Sequence, residues 1–246
     1  LCDTNGGTLP HEVSKIVSEV SKVVPGKNLG IHAHNDTGNA VANSLAAINA
    51  GARQVQGTLN GLGERCGNAN LITLIPTLVL KEPYSNEFTT NISKEGLKSL
   101  TRLSRLVDDI LNRIPNRSSP YVGSSAFTHK GGLHASAVLK NPKTYEHISP
   151  IAVGNKRVIP VSNQAGKSSL LVRLNEANIN IKKNDAKLQE ILSKIKERED
   201  QGYSYDLAEA SFELLAHRIL GTLPNYFDVK RYRVVMERRK NKYNKS

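Results

Sequence analysis

Cysteines and long apolar runs are scarce in this chain, and both shortages narrow the classes of protein to which it can belong. Its two cysteines, Cys2 and Cys66, are too few for a disulfide framework in 246 residues, which is typical of a reducing cytoplasm. No apolar run approaches the ~20 residues that a membrane-spanning helix needs, so we expect no membrane partner. The composition, 38% hydrophobic and 23% charged, is otherwise ordinary for a globular protein.

Acidic residues are also few. The chain has 22 of them against 34 lysines and arginines, which gives a formal net charge of +12. Such a charge can attract nucleic acid, but much of the excess lies late in the chain and no nucleic-acid recognition motif accompanies it. We therefore expect no nucleic-acid partner. A small anionic partner, such as a coenzyme with phosphates, would be attracted by the same positive field.

Strand-like and helix-like stretches alternate through the first 82 residues. Short strands are predicted up to Asp3, from Leu29 and over 54–59, and an amphipathic or small-residue helix follows each one. This alternation predicts a parallel α/β sheet or barrel. Three βα units cannot close a barrel of eight, so we expect the C-terminal part of a (β/α)8 TIM barrel.

Two histidines leave the second predicted strand on one face. Successive side chains of a strand point to opposite sides, so His32 and His34 project together while Ala33 faces the other way. Neutral imidazoles are common ligands of divalent metal ions, and histidines satisfied by hydrogen bonds at a strand end are the alternative. The pair lies at the carboxyl end of a strand, where α/β folds place their chemistry. We therefore predict half of a metal site.

Further polar residues follow the neighbouring strands. Asp3 and Thr4 end the first strand, and Asn68 closes a glycine-rich loop after the third. In a barrel the carboxyl ends of parallel strands converge on one mouth, so these residues are expected near His32 and His34. Two imidazoles with oxygen ligands suit Mg²⁺, Mn²⁺ or Zn²⁺ acting as a Lewis acid. A further carboxylate ligand is desirable, and the sequence offers no obvious choice.

Beyond residue 82 the pattern becomes mostly helical. Apolar residues at helical spacing predict helices over 97–114, 185–198 and 206–219. Tyr232 to Met236 is predicted to be a strand that enters a further domain. We expect three parts: barrel units over 1–82, linker subdomains over 83–173, and a helical segment with the beginning of a further domain over 174–246.

The loop over 127–137 is unusual for a connector, because it contains paired glycines and two histidines, His129 and His134. Loops carry binding and catalytic residues more often than the elements they connect. A solvated loop without a function is the alternative, and the residues alone leave both interpretations open.

Four stretches resemble the acyl-CoA-dependent aldol synthases that share a (β/α)8 barrel with metal-dependent lyases. This family includes the 2-isopropylmalate, homocitrate and citramalate synthases. The HxHND and GxGERxGN sequences are specific to it, and the later residues 201–203 and 208–213 look most like its long bacterial citramalate synthases. The matching stretches, which run through most of residues 1–173, lie at 3–7, 32–38, 61–68 and 127–137.

The resemblance implies a reaction and a barrel site. Acetyl-CoA would be the co-substrate, condensing with pyruvate to (R)-citramalate for isoleucine biosynthesis, or with 2-oxoisovalerate as in 2-isopropylmalate synthase. A divalent ion would be held by His32, His34 and Asn68. Substrate contacts would come from Thr4, Asp3 and Asn35.

The resemblance also implies catalytic roles for His134, Tyr145 and Glu64. The linker histidine of this family reaches over an active site to assist proton removal from the acetyl group, and it is expected to serve the partner subunit's site. We therefore expect a homodimer. The tyrosine match is the weaker of the two.

Two elements of the family's site have no match in this sequence: the first strand's metal-binding aspartate and its catalytic arginine. We therefore expect a fragment with little activity of its own, an open three-stranded sheet, and a 127–137 segment that stands apart from that sheet. A non-catalytic dimerisation or interaction module is the alternative from another class.

Overall fold

The computed structural model describes residues 1–129, 132–159, 166–205, 208–224 and 228–237. Lys130 and Gly131 of the histidine-containing loop, Asp206 of the third predicted helix and the end of the basic tail, 238–246, lie outside the described residues. The described strands are β1 (Cys2–Asp3), β2 (Gly30–Ala33) and β3 (Gln54–Gln56). The described helices are α1 (Pro10–Ser21), α2 (Ala40–Asn49), α3 (Leu71–Leu80), α4 (Tyr84–Glu87), α5 (Lys94–Leu97), α6 (Leu100–Ile110), α7 (Gly132–Lys140), α8 (Lys167–Glu176), α9 (Ala186–Asp200) and α10 (Glu209–Leu220).

The three strands form one parallel sheet in the order β1-β2-β3. Cys2 of β1 pairs with His32 of β2, and His32 pairs with Gln56 of β3. Paired residues of neighbouring strands point to the same side of a sheet, so these three side chains share one face. The predicted α/β class and the open three-stranded parallel sheet are confirmed.

Helices α1 and α2 cover the opposite face of the sheet. Ile31 and Ala33 of β2 are buried there against Val13 and Val17 of α1 and Ala47 of α2. Burying these apolar side chains on one side leaves the histidines of β2 on the other. The alternation of apolar and polar residues along β2 therefore decides which face of the sheet can hold chemistry.

The linker packs onto the last barrel helix. Ile72 of α3 belongs to the same buried cluster as Leu97, Leu100, Phe127 and Val153. At its first residue, Phe127, which is 2% exposed, the 127–137 segment is thus fixed to α3 and not to the sheet, so the expectation that it stands apart from the sheet is not contradicted. The reason is hydrophobic, since an apolar ring and α3 both lose water by contact.

Helices α8, α9 and α10 share a core of their own. The predicted apolar face of α9 is confirmed, because Leu188, Ile191, Leu192 and Ile195 are all buried in it. The predicted boundary between residues 173 and 174 falls inside α8.

Two predictions about secondary structure are wrong. The helix over 97–114 is divided into α5 and α6 and ends at Ile110, since Asn112 adopts a left-handed conformation with φ +49°. The predicted strand over 232–236 is not observed: residues 228–237 have no regular secondary structure. A strand needs a neighbour to pair with, and within the described residues this segment has none. Among the described helices, none is long and apolar enough to cross a membrane.

Candidate active site

His32 and His34 lie side by side on the uncovered face of the sheet, as predicted. Their ring centroids are 5.2 Å apart with an interplanar angle of 79°. The Nδ1 atom of each ring is buried and has no hydrogen-bond partner among the described residues. A buried polar atom without a partner is costly, and a missing ion or water is the usual explanation.

Asn68, in the loop after β3, contacts the other ring nitrogen of His32. Its Nδ2 atom lies 2.9 Å from His32 Nε2, and its backbone forms an isolated bridge with His34. A half-turn of an amide exchanges its nitrogen and oxygen, so the group can offer an oxygen ligand at the same position. Two imidazoles and one amide oxygen suit a divalent metal ion, so these residues fit part of a metal shell.

The rest of that shell is not present among the described residues. No group of three or more histidines, cysteines and carboxylates there is close enough to hold an ion. This agrees with the sequence, which offers no obvious carboxylate ligand.

An arginine fork holds the loop that follows His34. Arg65 donates from Nε and Nη2 to the two carboxylate oxygens of Asp36, at 2.8 and 3.0 Å, and from Nη2 to the Thr4 carbonyl at 2.9 Å. The Arg65 guanidinium lowers the pKa of Asp36, chiefly through these hydrogen bonds. Three loops, one after each strand, are thereby joined around the histidines.

Gly6 gives those loops room to meet. Its φ of +66° is in the left-handed region, and a side chain there would collide with Asp36. Its carbonyl also accepts hydrogen bonds from Thr37 N and Oγ1, at 3.2 and 2.9 Å. Gly6 of the first motif is therefore explained by packing against the HxHND loop.

The three residues assigned to substrate lie in different surroundings. Thr4 is exposed in the turn directly after β1, where its carbonyl accepts from Arg65 Nη2. Asp3 points to the covered side, where its carboxylate accepts from Thr8 Oγ1 at 2.8 Å and Asn43 Nδ2 at 3.4 Å. Asn35 Oδ1 accepts from the backbone nitrogen of Ala40 at the start of α2, at 3.1 Å.

Glu64, predicted to be catalytic, is largely in solvent. Its side chain is 84% exposed, and its carboxylate lies 3.8 Å from Arg65 Nη1. Among the described residues, no contact joins it to the histidine pair. The catalytic role stays a prediction.

Sequence reasoning missed Gln56, which pairs with His32 in the sheet register and therefore points to the same face. Gln54 does the same, level with Gly30, while Val55 between them is half-buried towards the helices. The polar-apolar-polar alternation of β3 was the signal that could have identified both glutamines.

The structure brings His134 and Tyr145 together in the linker. Their ring centroids are 4.4 Å apart and tilted by 31°, and both side chains are exposed. Behind them lies a buried carboxylate, Glu146, which accepts from Arg157 Nε and Nη2 at 2.6 Å each and contacts His129 Nε2 at 3.2 Å. Arg157, and to a smaller degree His129, lowers the pKa of Glu146 against the opposing effect of burial.

Fold and site together define a class of protein. The model of the HMGL-like family matches residues 1–107. The model of the homocitrate synthase post-HMGL domain-like family matches residues 121–203. The first covers the sheet and the histidines, and the second covers the linker pair. The chain belongs to the HMGL-like family, in its group of citramalate, 2-isopropylmalate and homocitrate synthases.

Within this group, (R)-citramalate synthases are highly similar to the chain. That of Aquifex aeolicus is 54% identical over 98% of this chain and 45% of its own length, and that of Geobacter sulfurreducens is 49% identical over 97% and 44%. A 2-isopropylmalate synthase of Buchnera aphidicola is 36% identical over 85% of this chain and 42% of its own length. The chain therefore spans less than half the length of these relatives.

Proposed function

We propose that the full-length protein containing this chain condenses acetyl-CoA with pyruvate to give (R)-citramalate and coenzyme A, a step in isoleucine biosynthesis. The observation that carries the proposal is the side-by-side placement of His32 and His34 on the polar sheet face, with Asn68 at His32 Nε2. The names of the relatives that are 44–54% identical support the choice of pyruvate.

A divalent ion would be held by His32, His34 and Asn68. Nitrogen and oxygen ligands of these types accept Mg²⁺, Mn²⁺ or Zn²⁺. When bound, this ion would polarise the keto group of the 2-oxoacid as a Lewis acid. Thr4 is exposed in the turn after β1, and its hydroxyl would donate to the carboxylate of that substrate. The Arg65–Asp36 fork keeps the loop after His34 in position for this task.

The linker pair would supply the proton chemistry. A neutral imidazole nitrogen of His134 accepts a proton from the acetyl methyl group, and the Tyr145 ring beside it limits the orientations of the imidazole. The methyl carbon then forms a bond to C2 of the 2-oxoacid, whose oxygen gains a proton. Water cleaves the thioester, which releases the thiol of coenzyme A and the new carboxylate.

We also propose that the protein is a cytoplasmic homodimer in which His134 serves the partner subunit's site. Because the barrel histidines and the linker pair lie on separate parts of the chain, such sharing would unite them. Mixing a His32→Ala subunit with a His134→Ala subunit tests this directly. Recovery of activity in the mixed dimer is expected, and its absence in a verified mixed dimer would contradict the shared site.

The full-length protein should release thiol from acetyl-CoA in the presence of pyruvate, measured with a thiol reagent, while the 246-residue chain alone should not. A second candidate, 2-isopropylmalate synthase, is favoured by the 36% identity to the Buchnera enzyme. Pyruvate and 2-oxoisovalerate are therefore compared by kcat/KM. A clear preference for 2-oxoisovalerate would replace the first proposal with the second.

A further inference from the structure

A buried carboxylate, Glu146, directly follows Tyr145 of the exposed His134–Tyr145 pair and contacts His129, whose ring centroid lies 6.3 Å from that of Tyr145. The Glu146 side chain is 1% exposed, while Tyr145, its neighbour in sequence, is 49% exposed. Both carboxylate oxygens receive charge-assisted hydrogen bonds from Arg157, each of 2.6 Å. Because a bidentate arginine fork fixes orientation as well as distance, the Glu146 side chain has little freedom.

The two partners of Glu146 come from adjoining backbone segments. His129 N donates to the carbonyl of Val158 at 2.9 Å, and Val158 N donates to the carbonyl of Phe127 at 3.0 Å. Phe127 is anchored in the core formed with α3. The carboxylate therefore ties its own segment to a pair of extended segments that is fixed in the core.

On its other side, Glu146 closes a turn that begins at the end of α7, the helix that carries His134. Asn141 N donates to the Ala137 carbonyl at 2.8 Å, and the backbone nitrogens of Tyr145 and Glu146 both donate to the Pro142 carbonyl, at 3.2 and 2.9 Å. Among the described residues the Tyr145 hydroxyl has no hydrogen-bond partner. Its ring position is thus set by this turn and by its contact with His134.

Stability alone is a weak reason for such a network. The cost of removing both charges from water offsets most of the attraction within a buried ion pair, and apolar replacements are often as stable. What a hydrogen-bonded buried pair does supply is a defined geometry. Here the geometry that it defines is that of the segment bearing Tyr145.

We propose that Glu146, clamped by Arg157, is a positioning residue that holds Tyr145 against His134. The proposal rests on the function proposed above, since the working arrangement is the one in which His134 takes a proton. Neither Glu146 nor Arg157 contacts the substrate in this scheme. Their effect passes through the ring contact of Tyr145 with His134.

The test uses the full-length protein labelled with 3-fluorotyrosine, in which fluorine NMR reports on the tyrosines, including this chain's eight. The Tyr145 resonance is assigned by its loss in Tyr145→Phe. Glu146→Gln removes the charge, and the milder Arg157→Lys keeps a charge but removes the fork. Both should shift or broaden the Tyr145 resonance and lower kcat about tenfold, with KM for the 2-oxoacid changed less than about twofold, because misplacement affects the chemical step most.

Arg173→Lys is the matched control. Arg173 is another ion-paired arginine of the chain, 8% exposed where Arg157 is 32% exposed, and it is paired with Glu176 and Glu209 at 3.7 and 3.6 Å. This variant should leave the Tyr145 resonance and kcat unchanged even where it lowers the melting temperature as much as Arg157→Lys does.

Three results would overturn the positioning role: an unmoved Tyr145 resonance in both network variants, an equal movement in the control, or a moved resonance with an unchanged kcat. If the protein released no thiol with any 2-oxoacid tested, the proposed function would fail instead. The fluorine spectra would then still decide whether Glu146 positions Tyr145.

Discussion

The barrel and linker parts of the candidate site differ in how their polar groups are satisfied. On the sheet, His32 and His34 each keep a buried ring nitrogen without a partner among the described residues. In the linker, Glu146 uses both of its oxygens, and the exposed His134 and Tyr145 rest on this satisfied network. The first part is therefore arranged to receive a ligand, whereas the second is arranged to hold two side chains still.

This difference implies that the two parts can be damaged separately. Loss of a barrel histidine should affect the affinity for metal, and loss of a linker residue should affect the rate of the chemical step. The predictions below, from the largest expected effect to the smallest, use that separation.

The largest effect is expected from His32→Ala and His34→Ala in the full-length protein. Each removes a ligand of the proposed metal site, so metal affinity measured by calorimetry should fall by more than about 100-fold and turnover should be lost with it. His11→Ala, which changes an exposed histidine on α1, is the control and should bind metal normally. Unchanged metal affinity in both site variants would refute the assignment.

The reciprocal variant is His134→Ala. Loss of a general base typically costs about 10²–10⁴-fold in rate, so kcat should fall within that range. Metal affinity should stay the same, because the imidazole of His134 is not a ligand in this scheme. A fall in metal affinity as large as that of His32→Ala would remove the distinction between the two parts.

A smaller effect is expected from Arg65→Lys, which keeps a positive charge but loses the fork on Asp36. The loop after His34 would be held less firmly, and loss of such a supporting contact typically costs about 10–100-fold in metal affinity. Arg53→Lys is the control, since Arg53 is hydrogen-bonded to the carbonyls of Ile48 and Ala52 instead. Equal metal affinity in both variants would show that the fork does not support the site.

How far the sequence predicts this structure depends on how local each signal is. The two-residue alternation of β2 and the apolar face of α9 were predicted correctly, because one segment alone determines them. The packing of Phe127 against α3 was not predicted, because it joins residues that are more than forty positions apart in the chain.

The candidate site follows the same rule. The shared direction of His32 and His34 was readable from their spacing. The Arg65–Asp36 fork and the Glu146–Arg157 pair were not, since each joins side chains from separate loops or turns. Tyr232 to Met236 shows the converse, because strand-forming residues make no strand without a neighbour.

Acid should lower the stability of the linker, because it protonates Glu146. The folded-state pKa of Glu146 is below its ordinary value of 4.5, mainly because of Arg157. Its stabilising contribution is therefore complete above about pH 4.5 and is lost as the pH falls through the lower folded-state pKa. Urea unfolding at pH 7 and pH 3.5 should show part of this loss, at most about 1.4 kcal/mol, because pH 3.5 is one unit below the ordinary value.

Glu146→Gln is the matching variant for that measurement, because it cannot ionise. Its stability should be lower at pH 7 and should depend less on pH in this acidic range. A variant whose pH dependence equals that of the unmodified protein would show that other carboxylates cause the acid loss.

The smallest effect is expected from His147→Phe, next to the network. Burial, and then the charge of Lys81, lowers the pKa of His147 from 6.5, so the folded state favours the neutral ring. The stability that depends on this neutral form is present above about pH 6.5 and is lost as the pH falls through the folded-state pKa.

Phenylalanine at position 147 keeps an aromatic ring in stacked contact with Phe127 and cannot be protonated. Because the side chain is partly exposed, the change at pH 7 should stay within about 0.5 kcal/mol, as for most surface substitutions. Between pH 6.5 and 5, thermal unfolding of the variant should fall less steeply than that of the unmodified protein. Identical slopes would show that His147 does not cause the mild-acid sensitivity.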